Sequence, residues 1–327
     1  MKAVRIFPGA EGGTLKLVDV PTPVPAAGQI LVRVRASGLN RGEINIVKRA
    51  REGHPLPAGV EFAGEVAAVG AEVAGWEPGD RVIGHGNGGQ AEYVLADPLA
   101  LIRVPGTLPW VQAAALPNVL ITAHDALITN GQLKPGETVL VNAASSGIGL
   151  AAIQIARAMG AGMVIATSRS AAKVEQLRQL GIEHVIDISR QDLLEAVMKL
   201  TGNRGVDIVI DSVGGTVFET NLQCLAVKGR LVNIGRLGSS TAAINLELLW
   251  LRRLKLIGVT FRTRTEAERL ACVQACANDL VPHLNAGRLS LPIDRSYPLE
   301  DIAQAHAYME TDQHIGKIVL TVDQASA

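Results

Sequence analysis

The stretch VNAASSGIGLAAIQIARAMGA, Val141 to Ala161, joins an apolar run to a turn of small residues and then to a helix. Upstream, ETVLVNA (Glu137 to Ala143) follows the breaker pair Pro135-Gly136 and has the Val and Leu content of a strand buried on both faces. From Gly149 onward the apolar spacing is that of a buried helix. A strand, a narrow turn and a helix in that order form a cradle for an anion. Small residues let the backbone approach two phosphates, and the first helical turn offers unpaired N–H groups and the positive end of the helix dipole. Against the GxGxxG pattern, Ala144, Ser146 and Gly149 take the three glycine places, so only the last, which lets helix and strand pack closely, is kept. Taken alone, the turn fits an ordinary strand-to-helix connection as well as it fits a pyrophosphate cradle. On the second reading Ala144, Ser145, Ser146, Gly147, Ile148 and Gly149 face the phosphates.

The runs that follow decide between the two. MVIAT (Met163 to Thr167), HVID (His184 to Asp187), DIVID (Asp207 to Asp211), GRLVNIG (Gly229 to Gly235) and LIGVTF (Leu256 to Phe261) recur at spacings suited to βαβ units. With the first run they predict a doubly wound, parallel six-stranded sheet of Rossmann type. The end of the second run then speaks to the cofactor. A carboxylate about 20 residues past the glycines would accept hydrogen bonds from a ribose, as NAD sites require. Here Thr167, Ser168, Arg169 and Ser170 occupy that stretch, with Lys173 one turn later. A guanidinium flanked by hydroxyls suits a 2′-phosphate, and cations near a helix N-terminus are unfavourable unless an anion joins them. NADPH is the expected cofactor, with Ser168, Arg169 and Lys173 at its adenosine end.

Composition is consistent with a two-domain enzyme of 327 residues: 48% of the chain is apolar, and 31 basic residues balance 31 acidic ones. That balance gives no reason to expect nucleic acid or a membrane surface as partner. The segment MKAVRIFPG enters a strand-like pattern directly, and a cytoplasmic location is expected. Three cysteines, Cys224, Cys272 and Cys276, suit a reducing compartment. Cys272 and Cys276 share a helix face at i,i+4 and read as partly buried thiols in the absence of a second pair. From Met1 to about Leu108 the pattern changes to short β-runs separated by Gly and Pro: KAVRIF, LKLVDVPTPVP, GQILVRVRAS, GVEFAGEVAAVG, GDRVIGHG, QAEYVLA and LIRVP. Helical patterns span Trp110 to Asn130, Glu266 to Ala286 and Leu299 to Glu310. A last strand, GKIVLTV, is expected to return to the first domain because the six-strand sheet is already complete.

The segments ASGLNRGE (Ala36 to Glu43), GVEFAGEVAAVG (Gly59 to Gly70), PGDRVIG (Pro78 to Gly84), AEYVLA (Ala91 to Ala96), AALPNVLITAHDAL (Ala114 to Leu127), DSVGG (Asp211 to Gly215), KGRLVNIG (Lys228 to Gly235) and HIGKIVLTV (His314 to Val322) carry a resemblance over essentially the whole chain. In that order they resemble the medium-chain dehydrogenase/reductases, and within these the zinc-independent quinone oxidoreductases that include zeta-crystallin. The resemblance implies an α/β protein: a GroES-like, β-rich catalytic domain over residues 1–121, completed by 264–327, and a Rossmann NADPH-binding domain over 122–263. It places the active site in the cleft between them and implies a homodimer, for which the apolar LIGVTF run supplies an edge strand.

Metal-dependent relatives bind a catalytic zinc at positions that correspond here to Asn40, Val60 and Asn118, and none of these supplies a thiolate, imidazole or carboxylate. The four-cysteine structural zinc loop is missing too. The resemblance therefore implies no metal, and hydride transfer to an acceptor that needs none, a quinone or an α,β-unsaturated carbonyl. Asn40 is the first candidate for a polar group beside the acceptor, with a turn-capping role as its alternative. Thr122 is the second, with a hydroxyl bonded to its own helix as the alternative. Around the nicotinamide the resemblance places Ser212 and Gly214, Ile234 and Gly235, and Phe261 and Arg262 at the end of the sixth strand. A Tyr that enoyl-thioester reductases carry after the Asn-containing segment is absent, Asn45, Arg51 and His54 standing there instead. Where several relatives pack a Tyr on the adenosine, this chain has Ile188. His54, His85 and His124 are the histidines that titrate in a useful range. Three readings remain: an NADPH-dependent quinone or enone reductase, an NAD(P)-dependent alcohol dehydrogenase-like enzyme, and a non-enzymatic NADPH-binding or structural protein.

Overall fold

A computed structural model describes residues 1–322. These form two compact units: Leu120–Thr265, and Met1–Val119 together with residues 266–322.

In the first of these, six parallel strands lie in the order His184–Asp187, Met163–Ser168, Thr138–Val141, Val206–Asp211, Leu225–Asn233, Lys255–Gly258. Numbered along the chain this is 3-2-1-4-5-6, the doubly wound order, which leaves a crevice beyond the carboxyl ends of the central strands. The sequence logic is visible in burial. All four residues of Thr138–Val141 are buried, as an unbroken apolar run between two helical layers must be. Helices Gly147–Ala158, Ala171–Gln179 and Leu193–Leu200 start at side-chain caps, Ser146, Ser170 and Asp192. The core under them includes Leu140, Ile165, Ile186, Val197, Val209 and Leu231.

Two boundaries of these strands differ from the sequence reading by three residues or more. The fifth strand begins at Leu225 rather than Gly229, its register against Val206–Asp211 shifting near Lys228, which takes a positive φ of 66°. The sixth ends at Gly258, so Phe261 and Arg262 lie past the strand rather than at its end. Its neighbour stops at Asn233, opposite Gly258, and the bond from Val259 N–H to the Asn233 carbonyl is the last rung available.

The other unit carries a sheet ordered Ile293–Pro298, Lys317–Thr321, Ile30–Gly38, Glu61–Val69, Arg81–His85, Leu101–Arg103, with Tyr93–Ala96 also paired to Ile30–Gly38, and a smaller sheet of Thr14–Asp19, Lys2–Phe7 and Leu56–Pro57. The C-terminal strand thus pairs antiparallel with Ile30–Gly38, Val319 opposite Gly38. The expected helix from Leu299 resolves into a 3₁₀ turn, Leu299–Asp301, and a helix Ile302–Glu310. The Trp110 to Asn130 stretch resolves into Trp110–Ala114, Pro117–His124 and a π-helical turn Asp125–Asn130. Cys272 and Cys276 are buried on helix Glu266–Asn285, and burial pushes the Cys276 thiol up, as it pushes Cys224 up to about 12. Among the described residues no helix is long and apolar enough to cross a membrane.

Candidate functional site

The turn after Thr138–Val141 is built from hydrogen bonds that leave the helix start open. Ser146 accepts from Gly149 N–H at 3.1 Å and donates its own hydroxyl to the Ala143 carbonyl at 2.8 Å, so its side chain is committed to the turn. The amides of Gly147 and Ile148, first in helix Gly147–Ala158, have no i−4 carbonyl within it and are the groups an anion would take. Gly149 is required by packing: a Cβ there would lie 2.7 Å from the Ala143 carbonyl oxygen and 2.7 Å from Ala144 Cα. Ala144 and Ser145 are buried behind it.

Beneath the turn lies a polar layer that sequence reading missed. Thr167 donates to Asn142 Oδ1 at 3.2 Å, and Asn142 donates to Asn221 Oδ1 at 2.9 Å. These bonds tie the ends of the first two strands to helix Phe218–Cys224. Asp211, fully buried, accepts from the N–H groups of Val213 at 2.8 Å and Gly214 at 3.0 Å and from Asn233 at 3.2 Å. It thereby fixes the loops that hold Ser212, Gly214, Ile234 and Gly235. Gly214 has φ +81°, and a Cβ at Gly235 would sit 2.7 Å from the Ser212 carbonyl oxygen. At the end of the second strand Ser168 is buried, Arg169 is exposed and Lys173 is half-buried, and Ser170 caps the helix that begins at Ala171. Past the sixth strand, Phe261 lies under the Arg264 guanidinium at 4.9 Å and Arg264 pairs with buried Asp125 at 2.6 Å, while Arg262 is exposed. Thr122 is half-buried on helix Pro117–His124, and its hydroxyl has no hydrogen-bond partner among the described residues.

In the other unit the three positions expected to match a zinc site form a different arrangement. Lys317 Nζ donates to Glu61 Oε1 at 2.7 Å, Asn40 Oδ1 at 2.8 Å and the Leu39 carbonyl at 2.9 Å, so all three ammonium hydrogens are used. Both side chains of the ion pair are buried, Glu61 completely. Asn40 gives its two amide hydrogens to Glu61 Oε1 at 2.7 Å and Glu43 Oε1 at 3.0 Å, and its oxygen also accepts from Asn118 Nδ2 at 2.9 Å. The Asn118 backbone N–H donates to Glu61 Oε2 at 2.7 Å, and its side-chain oxygen meets His85 Nε2 at 3.2 Å. Burial lowers the His85 pKa and so favours the neutral ring. Gly38 leaves room for this cluster, since a Cβ there would lie 2.3 Å from Glu61 Oε1.

Three consequences follow for the residues singled out from sequence. Asn40 makes no side-chain cap to helix Arg41–Arg49, against the capping alternative, and its N–H groups are both committed, so it positions Glu43 and Glu61 rather than offering a donor outward. Asn40 and Asn118 are brought together, whereas Val60 takes no part in the cluster's hydrogen bonds and accepts from Gly86 N–H through its carbonyl. The donors present do not fit a zinc ion: two carboxamides and a valine stand at the matched positions, an ammonium lies on the one carboxylate between them, and no cluster of three His, Cys, Asp or Glu suited to a metal exists among the described residues.

Comparison with known proteins agrees with this architecture. Residues 26–106 match the alcohol dehydrogenase GroES-like domain, and residues 147–275 match the zinc-binding dehydrogenase family. Human quinone oxidoreductase is 34% identical over 312 residues, 94% of this chain and 93% of that one. A solved structure of an NAD-dependent alcohol dehydrogenase superposes with a TM-score of 0.86 at 30% identity, covering 99% of this chain and 100% of the other. A mycobacterial protein solved in complex with NADPH does so with a TM-score of 0.84 at 29% identity, covering 98% and 100%.

Proposed function

Since the chain belongs to the medium-chain dehydrogenase/reductase superfamily, among its quinone oxidoreductases, we propose that this oxidoreductase is NADPH-dependent and metal-independent and passes hydride to quinones or α,β-unsaturated carbonyls. The observation that carries the reading is the Lys317–Glu61–Asn40–Asn118 cluster, in which an ammonium supplies the charge beside the buried carboxylate at the positions matched to a zinc site. A chain so equipped suits an acceptor whose own conjugation moves the incoming electrons onto oxygen.

The residues present fit a dinucleotide. When bound, its reduced nicotinamide supplies the hydride. The amides of Gly147 and Ile148 hold the pyrophosphate, and Ser168, Arg169 and Lys173 hold the 2′-phosphate, Arg169 being placed on the exposed rim where a guanidinium can take a phosphate bidentately. Because solved relatives include both an NAD-dependent enzyme and an NADPH complex, the choice rests on these three side chains. Of the two polar candidates, Thr122 keeps an uncommitted hydroxyl and is assigned to the acceptor's developing oxyanion. Asn40 is assigned to positioning. We place a homodimer contact on the edge of the parallel sheet, where helix Leu246–Leu251 exposes Trp250 and Leu246 beside strand Lys255–Gly258.

The test follows NADPH oxidation with a panel of quinones and enones, with and without chelator, alongside elemental analysis. Turnover that survives chelation in protein free of zinc is expected. One equivalent of zinc with chelator-sensitive turnover of alcohols would refute the metal-independent reading, and NADPH binding without turnover of any acceptor would turn it into a binding protein.

A further inference from the structure

A cavity of about 250 Å³ lies wholly among residues of the unit that contains the Lys317–Glu61 pair. Its walls are apolar, from Ile6, Leu15, Val47 and Pro57, with Ile46 and Leu56 exposing large apolar side chains. Its polar side is formed by Glu43, Asn87, Gln90 and His306. Of these, His306 has an unpaired buried nitrogen, and Glu43 has a hydrogen to give only when protonated. His306 is 8% exposed, and its Nε2 has no partner. Glu43 is 5% exposed, and its carboxyl accepts one amide hydrogen on each oxygen, from Asn40 at 3.0 Å and Gln90 at 2.8 Å. It meets no acceptor among the described residues, so a proton on Glu43 is an orphan donor beside the cavity.

The charges that face Glu43 are few. Glu61, on strand Glu61–Val69, and Lys317, on strand Lys317–Thr321, act on it in opposite directions, while Asn40 and Gln90 are neutral. Across the cavity His306, on helix Ile302–Glu310, is held neutral by burial, which lowers its pKa to about 4. Glu43 itself is raised to about 7 by burial and by Glu61, against the opposing pull of Asn40, Lys317 and Gln90.

We propose that this cavity is a ligand site for a neutral, mostly apolar compound of one or two rings, whose carbonyl oxygen accepts a hydrogen bond from the Glu43 carboxyl. The size agrees, since a cavity of roughly 150 Å³ already accommodates benzene. So does the chemistry: a carbonyl satisfies the orphan donor, the walls take the ring, and a second polar atom on the ligand can meet His306 Nε2. A carboxylate ligand is disfavoured, because the site offers it no cation: the Lys317 ammonium has spent its three hydrogens elsewhere. The inference goes beyond the hydride reading and is tested without nucleotide, so either can fail alone.

The experiment is a ligand-observed NMR titration of the full, nucleotide-free chain with acetophenone, which does not titrate, at about pH 6 and about pH 8.5. If the protonated form binds, affinity should fall about thirtyfold between them, the change in protonated fraction of a group titrating near 7. Glu43→Gln puts a permanent N–H donor there, at the cost of one amide hydrogen bond accepted from Asn40 or Gln90, and should bind with no pH dependence. Leu56→Trp fills the cavity from an exposed position and should abolish binding without lowering Tm. No saturable binding to the parent at pH 6, equal parental affinity at the two pH values, parent-like binding by Leu56→Trp, or a parent-like pH dependence in Glu43→Gln would each overturn the proposal. Should Glu43→Gln not fold, the parental pH dependence and Leu56→Trp decide the matter.

Discussion

Lys317→Met should be among the most damaging single changes available to this protein. The ammonium is buried, and its three hydrogens go to Glu61 Oε1, Asn40 Oδ1 and the Leu39 carbonyl. Methionine fills similar space with none of these donors. It leaves Glu61, fully buried, with the Asn40 and Asn118 N–H groups and no countercharge. Breaking one side of a buried ion pair costs about 3–5 kcal/mol, because the surviving charge stays desolvated. For a unit of this size each kcal/mol moves Tm by roughly 2–4 °C, so a fall on the order of 10 °C is expected. Trp76 and Trp110 both belong to the affected unit, and in a Trp250→Phe background urea or thermal unfolding followed by fluorescence reports that unit alone. Adding Glu61→Gln to Lys317→Met should recover part of the loss, since it removes the stranded charge. A single variant within about 1 kcal/mol of the parent, or a double variant worse than the sum of the two singles, would refute the account of this pair as a mutually dependent buried unit.

Arg169→Ala should cut the preference for NADPH over NADH by about ten- to a hundredfold, the value of one charge-assisted phosphate contact at roughly 1.5–3 kcal/mol; equal affinities for the two cofactors in the parent would remove the basis for the assignment. Stability should also depend on pH through Glu43, whose folded pKa of about 7 lies above its ordinary value of 4.5. Below about pH 4.5 the group is protonated in both states and contributes nothing; as pH rises toward 7 the unfolded chain releases its proton first, so stability falls by up to about 3 kcal/mol and then levels off. His306, with its pKa lowered to about 4, works in the opposite direction over pH 4 to 6.5, so the quantity to measure is the parent's pH profile of unfolding free energy minus that of Glu43→Gln, and a flat difference would contradict the assignment. Trp250→Glu, at a position 72% exposed on helix Leu246–Leu251, should turn a dimer into monomers in light scattering without changing Tm much; a parent that is already monomeric, or a variant as dimeric as the parent, would rule out that edge as the contact.

What the sequence revealed and what it concealed divide along physical lines. The parallel sheet was legible because a strand buried on both faces must be apolar throughout, and six such runs at βαβ spacing leave little choice of order. Gly149 was legible for a similar reason: only a residue without a Cβ allows the helix to approach Ala143 and Ala144. The ends of Leu225–Asn233 and Lys255–Gly258 were not, because a strand stops where its neighbour's hydrogen bonds stop, and that is a property of two segments. The polar cluster was concealed more deeply, since its members come from four places in the chain: residues 40–43, Glu61, Asn118 and Lys317. Yet a signal was present. GVEFAG and GKIVLTV each set one charge of opposite sign inside an apolar strand, and a charge there is tolerated only if it is paired. Reading Glu61 and Lys317 as partners would have given a second reason for the C-terminal strand to return to the N-terminal β-rich domain, beyond the completed six-strand sheet. It would also have shown why Asn40, bound between them, has no donor to spare. A lone charge in a buried strand thus points to a distant residue of the opposite sign, and here that pointer reaches the positions where sequence matching had looked for a metal.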